Sequence, residues 1–523
     1  KENFIRVPEQ STRMDVDDIT TITVLGAGNM GHGIAEVAAI AGYDVRLRDV
    51  EDDLVRAGYE NIEWSLNKLA EKDRLDADPE TVLDRISPLV DLSAALEDTD
   101  VVIEAVPEVM DIKIDVYEEV AEHAPDRAIF ATNTSSLSIT DLSEVTDRPE
   151  QFCGMHFFNP PVRMQLVEVI TGAHTSDDTI EAIEALAEAF GKTPVRVRKD
   201  SPGFIVNRVL TPLLNEACWA VHEGDADIAT VDSTSKYDIG LPMGALELAD
   251  QVGNDVAHHV LEYVNSELGQ AYEPCPLLTD KVEAEQFGEK TGEGWYDHDE
   301  GVAIPTDAGD PAIERRLLAV LANETARLID NDVAPIEAID EAMMLGAGFP
   351  EGPGKLADEA GVTTLVETLE ERHAETGHPR YAVSDALEGI ADDGGFYPDG
   401  GDETDTRAYE QISVTVEDRV GHIEIDRPHR MNSITVQMLE EIDQAVESLQ
   451  EDDDVWALLV SGAGDRAFSA GFDAASAAPG SGLEATELSR YGQQVFGAFE
   501  ECPKPVVAAV DGYCLGGGME LAT

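Results

Sequence analysis

Three regimes of hydrophobic patterning follow one another along the chain. In the first, Ile22, Val24 and Leu25 make an apolar run that stops at Gly26-Ala27-Gly28-Asn29-Met30-Gly31, after which Ile34, Val37, Ala38 and Ala41 recur at helical spacing. A strand over 43–47 follows Gly42, then a charged helical stretch over about 54–75, and buried-strand runs over 100–106, 128–131, 152–161 and 166–170. This alternation predicts a doubly wound α/β sheet. Pro202 and Gly203 break the pattern, and from there the apolar positions take helical period to about residue 398. A polar stretch, DGGDETDTR over 399–407, precedes the third regime. There Ile412-Val414-Val416 and His422-Ile423-Glu424-Ile425 alternate as strands about a turn over 418–421. A helix over 435–449, a strand over 455–460 and two glycine turns complete a second α/β region. Residues 1–18 are polar and acidic and read as an N-terminal arm.

The middle regime repeats itself. Shifted by 108 positions, Arg208, Leu213, Asn215-Glu216, Asp232, Gly240, Pro242, Gly244, Leu248-Ala249-Asp250 and Gly253 fall without a gap on Arg316, Leu321, Asn323-Glu324, Asp340, Gly348, Pro350, Gly352, Leu356-Ala357-Asp358 and Gly361. Each copy closes on glycine, an aromatic residue and tyrosine: Gly294-Trp295-Tyr296 and Gly395-Phe396-Tyr397. A lone unit of this size with so apolar a helix face needs a partner, which predicts that the two copies pack as a pseudo-dimer. The expected segments are an arm at 1–18, a nucleotide-binding domain at 19–200, helical copies at 201–300 and 301–398, a linker at 399–410 and an α/β domain at 411–523.

Charge narrows the function classes. With 107 acidic against 35 basic residues, the formal net charge is -72, and the acids run through every region. Nucleic acid and anionic membrane surfaces are repelled by such a chain. Molar salt shortens the screening length to roughly 3 Å and removes its self-repulsion, so a halophile's cytoplasm is the expected setting. Cys153, Cys218, Cys275, Cys502 and Cys514 are scattered and odd in number, which indicates neither a disulfide framework nor a zinc site. No apolar run approaches the ~20 residues of a membrane span. The chain opens at Lys1 without methionine and stops at Thr523 inside a recognisable motif, so a fragment is expected.

The glycine turn is the first candidate for chemistry. Gly26 permits the tight turn, Gly28 lets backbone N–H groups approach a pyrophosphate, and Gly31 lets the helix pack close to the strand. Asp49 follows about twenty residues on, where a carboxylate meets the adenosine ribose; its charge favours NAD over NADP, with Arg46 and Arg48 weakening that preference. Two further loops leave the carboxyl ends of strands, Glu104-Ala105-Val106-Pro107-Glu108 and Asn133-Thr134-Ser135-Ser136, where a ligand crevice is expected. The second reads equally as a helix cap. His156 and Glu168 lie on separate apolar strands. If those strands are neighbours, the carboxylate holds one ring N–H and leaves the other nitrogen as a base working near neutral pH.

Through GAGNMG, EAVPE, NTSS, HFFNPP, LVEV, SPGFIVNR and LPMGALELAD, residues 20 to about 400 resemble a 3-hydroxyacyl-CoA dehydrogenase with a duplicated helical domain. The resemblance implies that His156 removes the 3-hydroxyl proton of an acyl-CoA thioester while hydride passes to NAD, with Glu168 orienting it. It places Ser135 and Asn207 on the substrate oxygen and Glu108 and Lys113 along the cofactor. Residues 411–523 resemble the enoyl-CoA hydratase (crotonase) family. That resemblance implies an oxyanion hole at the N–H groups of Phe472 and Gly517 and a catalytic glutamate at Glu520. A second glutamate belongs beyond Thr523. Dehydrogenase before hydratase is the order of archaeal fusions. The implied fold is a Rossmann-like domain, a duplicated all-α domain and a partial crotonase-like domain. The implied function is a bifunctional, homo-oligomeric β-oxidation enzyme. Two alternatives stay open: a related enzyme working in the reducing direction, and a crotonase-like region that only drives oligomerisation or tethers CoA esters.

Overall fold

A computed structural model describes residues 16–523 apart from 73, 76, 300, 399–408, 410, 418, 428–429, 452–454, 465, 473–489, 494, 500–501, 511 and 523. Residues 1–15 of the arm, nearly all of the linker, Asp473 and Thr523 therefore lie outside the described residues. The chain divides into two compact units, Lys1–Tyr397 and Pro398–Thr523. No helix among the described residues is long and apolar enough to cross a membrane.

The first unit is built on an eight-stranded sheet: β1 (Thr21–Leu25), β2 (Asp44–Arg48), β3 (Ile86–Leu89), β4 (Val101–Glu104), β5 (Ile129–Thr132), β6 (Phe152–Phe157), β7 (Leu166–Ile170) and β8 (Thr193–Val197), in the order β3-β2-β1-β4-β5-β6-β7-β8. β1 to β6 run parallel, and β4, β5 and β6 are buried along their whole length, which is why they read as continuous apolar runs. β7 turns back antiparallel to β6, and β8 runs parallel to β7. The order reverses between β1 and β4, so the crevice of a doubly wound sheet opens above Leu25 and Glu104. The charged stretch after β2 is one helix, Asp52–Glu71.

The helical copies do pack on each other, and their contacts are reciprocal. Arg208 Nε donates to Glu324 Oε2 at 3.1 Å, and its counterpart Arg316 donates to Glu216. A Cβ on Gly240 would stand 3.3 Å from Pro350, and one on Gly348 would stand 3.3 Å from Pro242. The closing aromatic motifs are explained by two carboxylates per copy, of which Asp232, Asp250 and Asp340 are buried. Asp250 accepts from the Trp295 and Tyr296 N–H groups at 2.9 and 3.0 Å, while Asp232 takes the Tyr296 hydroxyl at 2.6 Å. Asp358 and Asp340 repeat this with Phe396 and Tyr397 at 2.7, 2.9 and 2.9 Å.

In the second unit β9 (Ile412–Glu417) and β10 (Val420–Ile425) form an antiparallel hairpin, continued by β11 (Ala457–Gly462) and β13 (Val506–Ala508) in the order β13-β11-β10-β9. β12 (Ala467–Ser469) pairs with β14 (Tyr513–Cys514). The hairpin turn is tighter than the sequence suggested. Val420 already pairs with Glu417, and Arg419 just before it takes a positive φ of 68°. Ile423, Ile425, Met438, Leu439, Ile442 and Phe468 fill the core beneath.

Candidate active site

The glycine turn ends β1 against the loop after β4. Gly26 has φ of 98°, and a Cβ there would lie 2.5 Å from the Ala105 carbonyl oxygen. A Cβ on Gly31 would overlap the Gly26 carbonyl oxygen at 1.8 Å, so the helix Asn29–Ala41 can start this close to the strand only with glycine there. Gly28 differs: nothing stands within 4 Å of its absent Cβ, and no side chain caps the helix beginning beside it. Open space before uncapped helix N–H groups is a cradle that fits a dinucleotide's pyrophosphate. Asp49 follows the end of β2. Its Oδ2 accepts from Ala27 N–H and its Oδ1 from Val50 N–H, both at 2.7 Å, so it braces the turn from the side where a ribose would lie.

The loops after β4 and β5 are tied by buried charge. Lys113 is 1% exposed, with its ammonium 2.7 Å from Glu104 and 3.2 Å from Glu108. Glu104 also accepts from the Thr132 hydroxyl at 2.7 Å. Glu108 accepts from Thr134 Oγ1 at 2.6 Å and from the N–H and Oγ of Ser135 at 2.8 and 3.1 Å. Burial raises the Glu108 carboxyl, but the Lys113 charge and these hydrogen bonds outweigh it and hold the group below its ordinary value. Lys113 thus sets Glu108 from within the protein, and Glu108 sets Ser135. Asn207, near the start of the helix Val206–His222, donates to the Ser135 carbonyl at 3.2 Å.

His156 and Glu168 are direct partners across the β6–β7 ladder. His156 Nδ1 lies 2.7 Å from Glu168 Oε2; a carboxylate accepts only, so Nδ1 carries the hydrogen. Glu168 is fully buried, and its other oxygen accepts from the N–H groups of Ile205 and Val206, each at 3.0 Å. Phe158 and Phe204 flank the imidazole at ring distances of 4.6 and 5.9 Å. The opposite nitrogen, Nε2, has no hydrogen-bond partner among the described residues. Such a pair can hold a charged imidazolium and present a basic nitrogen to a hydroxyl.

A cleft of about 1090 Å³ opens along the far side of the helix Asn29–Ala41, reaching from Asn29 to the Pro160-Pro161 loop that follows β6. Lys68, Lys72, Arg74, Arg163 and Lys192 line it with His32 and the exposed Trp64. Five basic residues thus gather in one cleft of so acidic a chain, one of them, Lys68, paired with Glu71 at 2.6 Å. Burial raises Glu36, on the cleft wall, to about 7 and lowers Lys192 to about 8. Sequence reading missed this cleft, although Lys68, Lys72 and Arg74 are a basic cluster that stands out against their acidic surroundings.

In the second unit Gly471, with φ of 95°, brings two backbone segments together. A Cβ on Gly517 would lie 3.6 Å from Phe472 N, and among the described residues neither the Phe472 nor the Gly517 N–H has an acceptor. Glu520, in the closing helix Gly517–Ala522, is exposed. Among the described residues no three His, Cys, Asp or Glu side chains are placed to share a metal ion.

Known proteins resemble the chain in the same segments. The family model of the 3-hydroxyacyl-CoA dehydrogenase NAD binding domain matches residues 21–201. That of the 3-hydroxyacyl-CoA dehydrogenase C-terminal domain matches twice, at 203–298 and 313–404, and that of enoyl-CoA hydratase/isomerase matches 415–523. The 3-hydroxybutyryl-CoA dehydrogenase of Bradyrhizobium diazoefficiens is 41% identical over 290 residues, 55% of this chain and 98% of that protein. The fatty acid oxidation complex subunit alpha of Idiomarina loihiensis is 35% identical over 407 residues, 73% of this chain and 56% of that protein. Among solved structures, 3-hydroxybutyryl-CoA dehydrogenase from Escherichia coli K12 covers 71% of this chain and 98% of its own at a TM-score of 0.66 and 28% identity.

Proposed function

The chain belongs to the 3-hydroxyacyl-CoA dehydrogenase family, and from that premise we propose that it oxidises (S)-3-hydroxyacyl-CoA to 3-ketoacyl-CoA with NAD and carries an enoyl-CoA hydratase module for the preceding step of β-oxidation. The observation that carries the reading is the His156–Glu168 pair, 2.7 Å apart, with Nε2 left open. NAD supplies the hydride acceptor when bound. The chain's own groups do the rest. Gly26, Gly28 and Gly31 admit the pyrophosphate, Asp49 meets the ribose, and Glu108, held by Lys113, borders the cofactor. Ser135 and Asn207 hold the substrate oxygen. His156 Nε2 takes the hydroxyl proton, and Glu168 stabilises the imidazolium so formed. A hydroxyl carbon gives up hydride readily only as its proton leaves, which is why a base must stand there.

The basic cleft supports a coenzyme A ester as substrate, since it gathers cations that the ester's phosphates need. The N–H groups of Phe472 and Gly517 take the thioester oxygen as enolate charge develops, and Glu520 serves as one catalytic acid–base group. A second reading, in which the crotonase-like unit serves assembly or CoA binding alone, draws on the exposed Val507, Val510, Tyr513, Leu515 and Met519. The net charge of -72 supports a protein of haloarchaeal type working in a salt-rich cytoplasm, and the exposed apolar residues of the second unit support a homo-oligomer.

The test is 3-hydroxybutyryl-CoA with NAD in molar KCl. NADH accumulates with the native chain and not with His156→Ala; a His156→Ala protein at full rate refutes the assignment. Crotonyl-CoA hydration by the same protein separates a working hydratase from an assembly module.

A further inference from the structure

The duplicated helical copies differ at one place that matters to the dehydrogenase site. The shift of 108 sets Ser235-Lys236-Tyr237-Asp238-Ile239 of the first copy against Met343-Met344-Leu345-Gly346-Ala347 of the second. In the first copy Asp238 packs against Gly309, where an added Cβ would stand 1.9 Å from its Oδ2. In the second, position 346 has lost its side chain. Gly346 lies in the last turn of the helix Ile336–Ala347, where glycine weakens a helix relative to alanine. It is not the capping residue either, since Gly348, with φ of 70°, ends that helix.

What glycine permits at 346 is contact. A Cβ there would lie 2.6 Å from Leu166 Cδ2, 3.0 Å from Val206 Cγ2 and 3.4 Å from Phe158 Cε1. Each of these residues bears on the His156–Glu168 pair. Leu166 is two residues before Glu168 on β7 and shares its face of the sheet. Val206 gives its N–H to Glu168 Oε1 at 3.0 Å. Phe158 lies 4.6 Å, ring to ring, from His156.

We propose that the second helical copy, through Gly346, is a positioning element of the dehydrogenase site: it presses on Leu166, Val206 and Phe158 and so fixes the geometry of the His156–Glu168 pair. This rests on the dehydrogenase reading for its kinetic consequence and not for its structural one. Packed interiors transmit such displacements, and a misplaced catalytic group costs rate more than binding.

The experiment uses the whole chain with Gly346→Ala, Gly346→Ala combined with Leu166→Val, and Gly354→Ala. The last crowds Ile336 Cδ1 at 2.6 Å within the same copy but touches nothing around His156. Two quantities are read: kcat and KM for 3-hydroxybutyryl-CoA oxidation, and the low-field, slowly exchanging imidazole N–H resonance that His156 gives by donating to Glu168. Gly346→Ala lowers kcat by roughly tenfold to a hundredfold with both KM values within about twofold, and shifts or broadens the resonance. Leu166→Val, which removes the overlapping Cδ2, restores both, and Gly354→Ala changes neither. Should Gly346→Ala not fold, Leu166→Val alone thins the same contact and is read the same way. An unaltered kcat and resonance in Gly346→Ala, or an equal loss in Gly354→Ala, overturns the proposal. A native chain that oxidises nothing overturns the dehydrogenase reading instead, while the resonance still decides this one.

Discussion

The two units assemble their candidate sites in different ways. Around His156 the work falls to side chains, and each is held by a second group: His156 by Glu168, Glu168 by the N–H groups of Ile205 and Val206, Ser135 by Glu108, and Glu108 by Lys113. At Phe472 and Gly517 the candidate groups are backbone N–H donors, and what brings them together is the room left by glycine at 471. A side-chain site depends on partners far apart in sequence and fails in steps as they are removed. A backbone site has few members to remove, so the candidate side chain Glu520 carries the mutational signal.

The sharpest way to break that contrast is His156→Ala. Removing a general base costs about 10³–10⁴ in kcat for 3-hydroxyacyl-CoA oxidation, while crotonyl-CoA hydration by the same protein stays at its native rate. Loss of both activities would mean that the units are coupled and the comparison is wrong. Glu168→Gln is expected to cost less, roughly 10², because the imidazole remains and only its hold and charge partner change. NADH binding, followed by fluorescence, stays within twofold, since the glycine turn is untouched. Glu520→Gln comes third. Loss of one acid–base glutamate lowers hydration by about 10² and leaves 3-hydroxybutyryl-CoA oxidation unchanged. Unchanged hydration would favour the assembly reading of the second unit.

How much of this could be read beforehand depends on the range of the interaction. The glycine turn is local: Gly26, Gly28 and Gly31 meet their constraints within a few residues of themselves or at the neighbouring strand, so the motif speaks for itself. The internal repeat was equally legible, and the Arg208–Glu324 and Arg316–Glu216 exchange follows from it. The His156–Glu168 pair was legible only as a condition, because register across antiparallel strands is set by the return loop and not by either strand's composition. β3 and β8 went unseen. Ile86-Ser87-Pro88-Leu89 and Thr193-Pro194-Val195-Arg196-Val197 are short, carry proline and lie at the two edges of the sheet, where burial imposes little pattern. Lys113 was expected along the cofactor, but its burial between Glu104 and Glu108 depends on contacts that no spacing reveals. The basic cleft is assembled from 29–40, 61–74, 160–165 and 190–192, four stretches whose convergence only the fold supplies.

That cleft yields the smallest effect and a separate handle on the dehydrogenase unit. Glu36, raised by burial to about 7, is neutral below that pH and negative above it. Lys192, lowered by burial to about 8, is positive below that pH and neutral above it. Raising pH from 6 to 9 therefore adds a negative charge and removes a positive one from a cleft that is to hold anionic phosphates. At about 0.5 kcal/mol for each charge, KM for the CoA ester should rise about fivefold over that range, in two steps. KM for NAD stays flat, since neither group touches the glycine turn. Glu36→Gln removes the lower step and keeps the upper one, whereas Lys192→Met raises KM throughout and keeps the lower step. If KM for NAD rises in parallel, the pH effect arises elsewhere and the cleft is not where the ester's phosphates are held.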